Sequence, residues 1–348
     1  MAVSLNEIQF HLLPGKAGAF SNPPPARSMG RTAKTEKARR RTARAVNRDH
    51  PRKTQKTMTI EMNSLGTLGI EITGLDICRD LAGDAGDNLF GDIHAAWLEA
   101  GGFMVIRDQD MTQEQHMGFS RRFGPLFHDD GQPPLQDTVS RYLHPDHPQI
   151  YRVSNKVDEN GEPTGRKGAG TYWHSDVSFR DHPAHASVLY GIQVPPRGGD
   201  TVFANMTAAY EALSDGMKGM IDGLHAVHDF AVAAATQYAK PVVIDNDFDG
   251  ANRCVHPVVR THADTGKKSL YINPGFTSHL DGFTPAESKP ILEPLYTHAT
   301  KQDFLYRHNW RPHDVVVWDN RCLMHYAVMD YTADRYMERC TVIGEKPV

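Results

Sequence analysis

The chain has 348 residues, 39% of them hydrophobic, with 29 glycines and four widely spaced cysteines (Cys78, Cys254, Cys322, Cys340). That is ample material for a core, but no run approaches the ~20 apolar residues that cross a bilayer, and no C-x-x-C pair suggests a zinc knuckle or a disulfide framework. The net charge of −4 is uneven: residues 1–57 carry 13 Lys and Arg against three acids, and the remainder 25 against 39, so the acidic body argues against nucleic acid as partner.

Residues 1–57 are basic and Pro-interrupted, and are expected to be a disordered extension. They hold no apolar run of the secretory kind, so a cytoplasmic protein with unpaired thiols is expected. Apolar periodicity starts at Met58, and 58–348 is expected to form a single domain. "LGIEITGLDI" (68–77) alternates as a strand does, and "NLFGDIHAAWLEAG" (88–101) has helical spacing closed by Gly101. Thr112 and Gln115 are spaced as a capping box opening a helix that stops at Gly124. Short β-rich runs follow at 185–194, 198–206, 254–262 and 267–273. Thr284, Pro285 and Glu287 then mark a second strong helix start, and 314–320 and 338–344 read again as strands. The fold class is α+β, mainly β: an antiparallel sandwich or jelly roll with flanking helices.

Five His-x-Asp triplets begin at His128, His144, His174, His262 and His279. One triplet alone therefore carries little, and its surroundings must decide. His174 and Asp176 lie in "TYWHSDVSF", where an extended backbone puts positions i and i+2 on one face. Two ligands from that segment and a histidine from a distant strand make a two-His-one-carboxylate face, the arrangement that suits non-haem Fe(II) and leaves coordination positions open. His325 is the best candidate, because it follows the apolar run "VVVW" and precedes Arg335 and Arg339.

"SRRFGPL", "YWHSDVSF", "PPRGGDTVFANM", "HPVVRTH", "YINPGFTSHL", "VVVWDNRCLMHYAVMDY" and "RYMERCTVIGEKP", in this order, resemble the taurine dioxygenase and 2,4-D dioxygenase family of Fe(II)/2-oxoglutarate-dependent oxygenases. The resemblance covers residues 60 to 346. It implies a double-stranded β-helix and a reaction that consumes 2-oxoglutarate and O₂ and releases succinate and CO₂. By position it implies His174, Asp176 and His325 as iron ligands, and Thr201 and Arg335 as the residues holding the far carboxylate of 2-oxoglutarate. A guanidinium fork suits that carboxylate better than an ammonium. Arg339 is implied as the anchor of a small anionic substrate, and His128 stands where the family often places a substrate contact. Phe179 and Phe276 suit either core or pocket wall. Taurine-specific members carry Asn four residues before the first iron ligand, where this chain has Gly170.

Two other readings stand beside this one. The chain could be a non-catalytic jelly-roll binding protein, or an oxygenase acting on nucleic acid through its basic arm. Assembly of identical copies is left open.

Overall fold

Val315, Val316, Val317 and Trp318 form a continuous buried run, as a strand must when both faces of its sheet are covered. The computed structural model describes residues 60–135, 140–237 and 252–348, all within one compact unit. The basic segment expected to be disordered lies outside the described residues.

The strands, in chain order, are β1 (Glu61–Ser64), β2 (Ile70–Thr73), β3 (Phe103–Ile106), β4 (Ile150–Ser154), β5 (Ala184–Gln193), β6 (Thr201–Asn205), β7 (His225–Asp229) and β8 (Arg253–Pro257). They continue with β9 (Val259–Thr261), β10 (Lys268–Leu270), β11 (Thr277–Leu280), β12 (Leu305–His308), β13 (Asp314–Asp319), β14 (Leu323–Ala327) and β15 (Tyr336–Ile343). A seven-stranded sheet runs β1-β2-β3-β13-β5-β15-β4, and a smaller one runs β12-β6-β14. Two further small sheets, β11-β7-β8 and β10-β9, complete the set.

Strand periodicity sorts the core. Phe103, Val105, Val316 and Trp318 point to one side of the large sheet, where they meet Phe203 and Leu323 of the small sheet. Met104, Ile106, Val315 and Val317 point to the other side, against Ile93 and Trp97 of the helix Gly83–Glu99 and Met117 and Phe119 of the helix Gln113–Ser120. Behind the small sheet, Ala204 and Met324 pack on Leu292 and Leu295 of the helix Pro285–Ala299.

Both capping boxes form. Thr112 Oγ1 accepts from Gln115 N, and Thr284 Oγ1 accepts from Glu287 N, with the reciprocal bonds in place. Three features depart from the sequence expectation. The helix expected over 88–101 begins at Gly83, and a short helix, Ile77–Asp80, precedes it, so the stretch 68–77 is strand only over Ile70–Thr73. The run 254–262 is divided at Val258 between two sheets. The pairing is not purely antiparallel, because β2 lies parallel to β3.

Candidate active site

His174 and His325 are brought together by backbone, not only by side chains. His174 N donates to His325 O (3.0 Å) and His325 N donates to His174 O (2.8 Å), a hydrogen-bonded antiparallel pair. The two imidazole centroids are consequently 4.0 Å apart. β14 continues this pairing into β6, where Ala327 stands opposite Thr201, two residues from His325 and so on the same face.

Asp176 arrives differently from the sequence expectation. The segment is not a strand beyond the single His174 bridge; a turn starts at Asp176, and Val177 adopts φ 57°. A β-branched residue in the left-handed region is strained and needs surrounding contacts to hold it. Those contacts are present. Asp176 N donates to Asn320 Oδ1 (3.0 Å), Ser175 Oγ donates to Asn320 O (2.6 Å), and Ser187 Oγ donates to Asp176 Oδ2 (2.8 Å). Asn320 Nδ2 donates to Ser187 Oγ (3.0 Å), closing the ring of bonds.

The carboxylate then stands between the imidazoles: His174 Nε2 is 3.7 Å from Asp176 Oδ1, and His325 Nε2 is 3.9 Å from Oδ2. All three ligand atoms lie within 4.8 Å of one another, a spacing suited to one ion. Their chemistry fits as well. Burial opposes ionisation of Asp176, but Arg339, the neighbouring His325 and His174 and the Ser187 hydrogen bond together outweigh it and hold the carboxyl below its usual range. Burial keeps both imidazoles neutral, the ligating form, and the neighbouring His174 reinforces this at His325. His174 Nδ1–H donates to Tyr172 O (2.8 Å), which leaves Nε2 with its lone pair toward the carboxylate.

Arg335 is only 4% exposed, and its Nε has no hydrogen-bond partner among the described residues. Burial disfavours its charge, and the nearest compensation is the Tyr331 side chain, with the ring centroid 5.6 Å away. A buried guanidinium of this kind fits a carboxylate ligand. Thr201 Oγ1, also buried, accepts from Trp310 Nε1 (3.0 Å), so the hydroxyl keeps its own proton to donate.

A small cleft, about 70 Å³, opens beside His174 and Asp176, walled by Tyr172, Phe179, Phe230 and Phe276 and carrying Arg166 and Arg339. Phe179 and Phe276 meet edge to face at 4.8 Å. Arg339 Nη1 is 2.6 Å from Asp176 Oδ1, a partner that the sequence does not announce. His128 does not line this cleft. Its Nε2 accepts from Leu135 N (2.9 Å), so the ring braces the segment that brings Leu135 to the cleft wall.

Sequence reasoning misses Asn320, Ser187 and Arg166. In "WDN", the Trp318 ring lies tilted against the His325 ring at 4.8 Å, and Asn320 serves Asp176. Arg166 sits in "GRKGAG", just ahead of the histidine motif, where three glycines are the available signal.

A second cluster, His262, Asp319 and Cys322, is organised as an ion-pair network. Arg321 Nη2 lies 2.7 Å from Asp319 Oδ2, and His262 Nε2–H donates to the same oxygen (3.0 Å). The guanidinium already compensates that carboxylate.

Known proteins place the chain. The model described as "Taurine catabolism dioxygenase TauD, TfdA family" matches residues 75–341. The chain is 36% identical over 257 residues to the alpha-ketoglutarate-dependent 2,4-dichlorophenoxyacetate dioxygenase of Cupriavidus pinatubonensis, covering 70% of this chain and 85% of that protein. It is 30% identical over 292 residues to the alpha-ketoglutarate-dependent sulfate ester dioxygenase of Pseudomonas putida, covering 81% and 89%. Among solved structures, a taurine dioxygenase from Burkholderia xenovorans superposes with a TM-score of 0.65 at 32% identity, covering 83% of this chain and 91% of that one. The neutral imidazoles, the ionised carboxylate and the buried guanidinium are thus found in a chain that belongs to the taurine dioxygenase and 2,4-D dioxygenase family and is an alpha-ketoglutarate-dependent dioxygenase, using Fe(II), 2-oxoglutarate and O₂.

Proposed function

We propose that this dioxygenase hydroxylates a carbon beside a heteroatom on a small organic anion with an apolar body, forming succinate and CO₂ as co-products. The carrying observation is the cleft next to His174 and Asp176, which combines aromatic walls with guanidinium groups. Iron, 2-oxoglutarate and O₂ supply the oxidising power when bound. The chain supplies ligation, orientation and exclusion of water. His174 Nε2, His325 Nε2 and Asp176 are assigned to the metal, and Arg335 with Thr201 to the far carboxylate of 2-oxoglutarate.

The substrate is assigned to Phe179 and Phe276 for its apolar part and to Arg339 for its charge. His128 is assigned a positioning role through Leu135. In this reading the large and small sheets, with the shared core between them, are the two halves of a double-stranded β-helix. Cys254, Cys322 and Cys340 are buried and form no disulfide among the described residues, which suits a reducing cytoplasm.

Gly170 argues against an amino-substituted substrate such as taurine. Its φ is 71°, and a Cβ there would stand 2.8 Å from His174 Cε1, so no polar side chain reaches the cleft from this position. The test is 2-oxoglutarate turnover with phenoxyacetate, hexyl sulfate, hexanesulfonate and taurine, read as succinate. At least one of the first three is expected to support turnover well above taurine. Succinate formation driven only by oligonucleotides, or by none of these anions, refutes the reading. In the same assay His174→Ala and His325→Ala are expected to abolish turnover while the protein keeps its fold.

A further inference from the structure

Two glycines clear the flanks of His174. A Cβ on Gly170 would stand 2.8 Å from His174 Cε1, and a Cβ on Gly275 would stand 3.0 Å from His174 Cβ. At Gly275 the same Cβ would meet Cδ2 and Cε2 of the Tyr172 ring at 2.6 Å, so that ring lies directly on bare backbone. Gly275 N donates to Trp173 O (3.0 Å), which ties the two segments together at this point. The Tyr172 centroid is 4.8 Å from that of His174, and the ring meets Phe276 edge to face at 6.0 Å. One ring therefore adjoins both a metal-ligand candidate and the apolar wall.

The phenylalanines of the wall are fixed. Phe179, Phe230 and Phe276 are 2%, 6% and 5% exposed, and they interlock edge to face, Phe179 with Phe230 at 5.1 Å and with Phe276 at 4.8 Å. Tyr172 is half-buried and packs against this core from its edge. Space beside His174 is scarce, because the cleft holds about 70 Å³. A cavity that takes up a benzene ring measures about 150 Å³. A phenoxy group entering here would have to displace a wall ring, and shifting any of the interlocked phenylalanines would disrupt a close-packed core. An unbranched alkyl chain has the smaller cross-section and asks for less displacement.

We propose that Tyr172 is a specificity-determining residue: seated on Gly275, it limits the girth of the apolar body admitted beside His174 and so favours anions with unbranched alkyl chains over aryloxyalkanoates. The inference rests on reading this cleft as the substrate site, and narrows small organic anions in general to slender ones. The bulk of the ring is the operative property, and the phenol hydroxyl is not required. His174 Nδ1–H is held by the backbone O of Tyr172 (2.8 Å), a bond that any side chain at this position retains. The girth of the cleft can therefore be changed while that support of the metal site stays in place.

The experiment compares the Fe(II)- and 2-oxoglutarate-loaded wild type with Tyr172→Phe, Tyr172→Leu and Tyr172→Ala. Hexyl sulfate is the slender probe and phenoxyacetate the broad one, with kcat/KM read from succinate formation. Binding of both to the Mn(II)- and 2-oxoglutarate-loaded proteins without oxygen is measured calorimetrically. Wild type is expected to prefer hexyl sulfate. The ratio of kcat/KM for phenoxyacetate to that for hexyl sulfate is expected to rise about 10- to 100-fold in Tyr172→Leu and Tyr172→Ala. Tyr172→Phe should keep the wild-type ratio, and Mn(II) affinity and the KM for 2-oxoglutarate should stay nearly unchanged throughout. Tyr172→Leu keeps an apolar side chain, so the comparison survives if Tyr172→Ala fails to fold. A wild type that prefers phenoxyacetate, an unchanged ratio in Tyr172→Leu, or an equal rise in Tyr172→Phe overturns the steric role of Tyr172 and leaves the proposed reaction standing. Equal losses with both probes together with weakened Mn(II) binding overturn it as well, and make the ring a support for His174 alone. Probes whose Kd ratio shifts as expected but that give no succinate overturn the reaction and leave Tyr172 standing. Failure of both probes to bind or react in every protein overturns both.

Discussion

Asn320 shows how much of the site lies beyond the groups that would touch the metal. It reaches Asp176 twice, directly through the backbone N–H and indirectly through Ser187, while its carbonyl holds Ser175. Asn320→Ala removes both side-chain routes and leaves Asp176 to the strain at Val177, which costs on the order of 1–3 kcal/mol to maintain. Mn(II) affinity, measured by titration of the metal-free protein, is expected to fall about 10- to 100-fold with little change in secondary structure. An unchanged affinity would show that Arg339 and Ser187 orient the carboxylate without help. Arg335 permits a separate test, because it carries a buried charge and touches neither imidazole. Arg335→Ala is expected to cost about 2–4 kcal/mol in 2-oxoglutarate binding, read as a raised KM for that co-substrate and a smaller effect on the substrate's own. Equal shifts in both would remove the assignment. The legibility of these residues follows from chain distance. His174 and Asp176 are two apart and can be read as a unit. Asn320 and Asp176 are 144 residues apart, and no local pattern announces their bond. His325 lies as far away, yet it stands out because a buried run precedes it and two arginines follow.

Elements divide in the same way. The helices Gln113–Ser120 and Pro285–Ala299 are readable because each start is written within four residues as a capping box, a code that needs no tertiary partner. Removing one such code should cost stability without touching chemistry. Thr284→Ala is expected to lose about 1 kcal/mol, lowering Tm by roughly 2–4 °C while 2-oxoglutarate turnover stays at the wild-type level. Lost turnover would mean that this helix, which backs β14 only through Met324 and its neighbours, transmits more to the site than packing implies. β3, β4 and β7 are not legible in the sequence, since four or five residues give too little alternation to stand out, and β3 is buried on both faces. The parallel pairing of β2 with β3 is equally hidden, because it depends on the crossover through the helix Gly83–Glu99 and not on either strand's sequence.

At the scale of the whole molecule, the histidines that ligate nothing still bear on stability. His116 is fully buried between the helix Gln113–Ser120 and β5, with Nε2–H donating to Val188 O (3.2 Å). His256, on β8, donates to Arg180 O (2.9 Å) beside Cys254. Burial, against the help of those carbonyls, pushes each imidazole down to about 4. A group whose folded pKa is depressed below its unfolded value near 6.5 binds its proton more readily when the chain is unfolded. The folded state therefore keeps its full stability above pH 6.5 and loses it as pH falls from there toward 4, by up to about 3 kcal/mol for each histidine. Asp319, held well below the usual carboxylate range by Arg321 and His262 against the cost of burial, yields its contribution only in still more acid solution. The fall between pH 6.5 and 4 should accordingly belong to the histidines. Tm of the wild type is expected to drop steeply across this interval. His116→Gln retains an N–H donor but has nothing to titrate. It should start lower at pH 7.5, because packing is lost, and then fall less steeply, so that the gap to wild type narrows by pH 5. Parallel curves for the two proteins would show that His116 is not a source of the acid sensitivity and would move it to His256 and the remaining buried imidazoles.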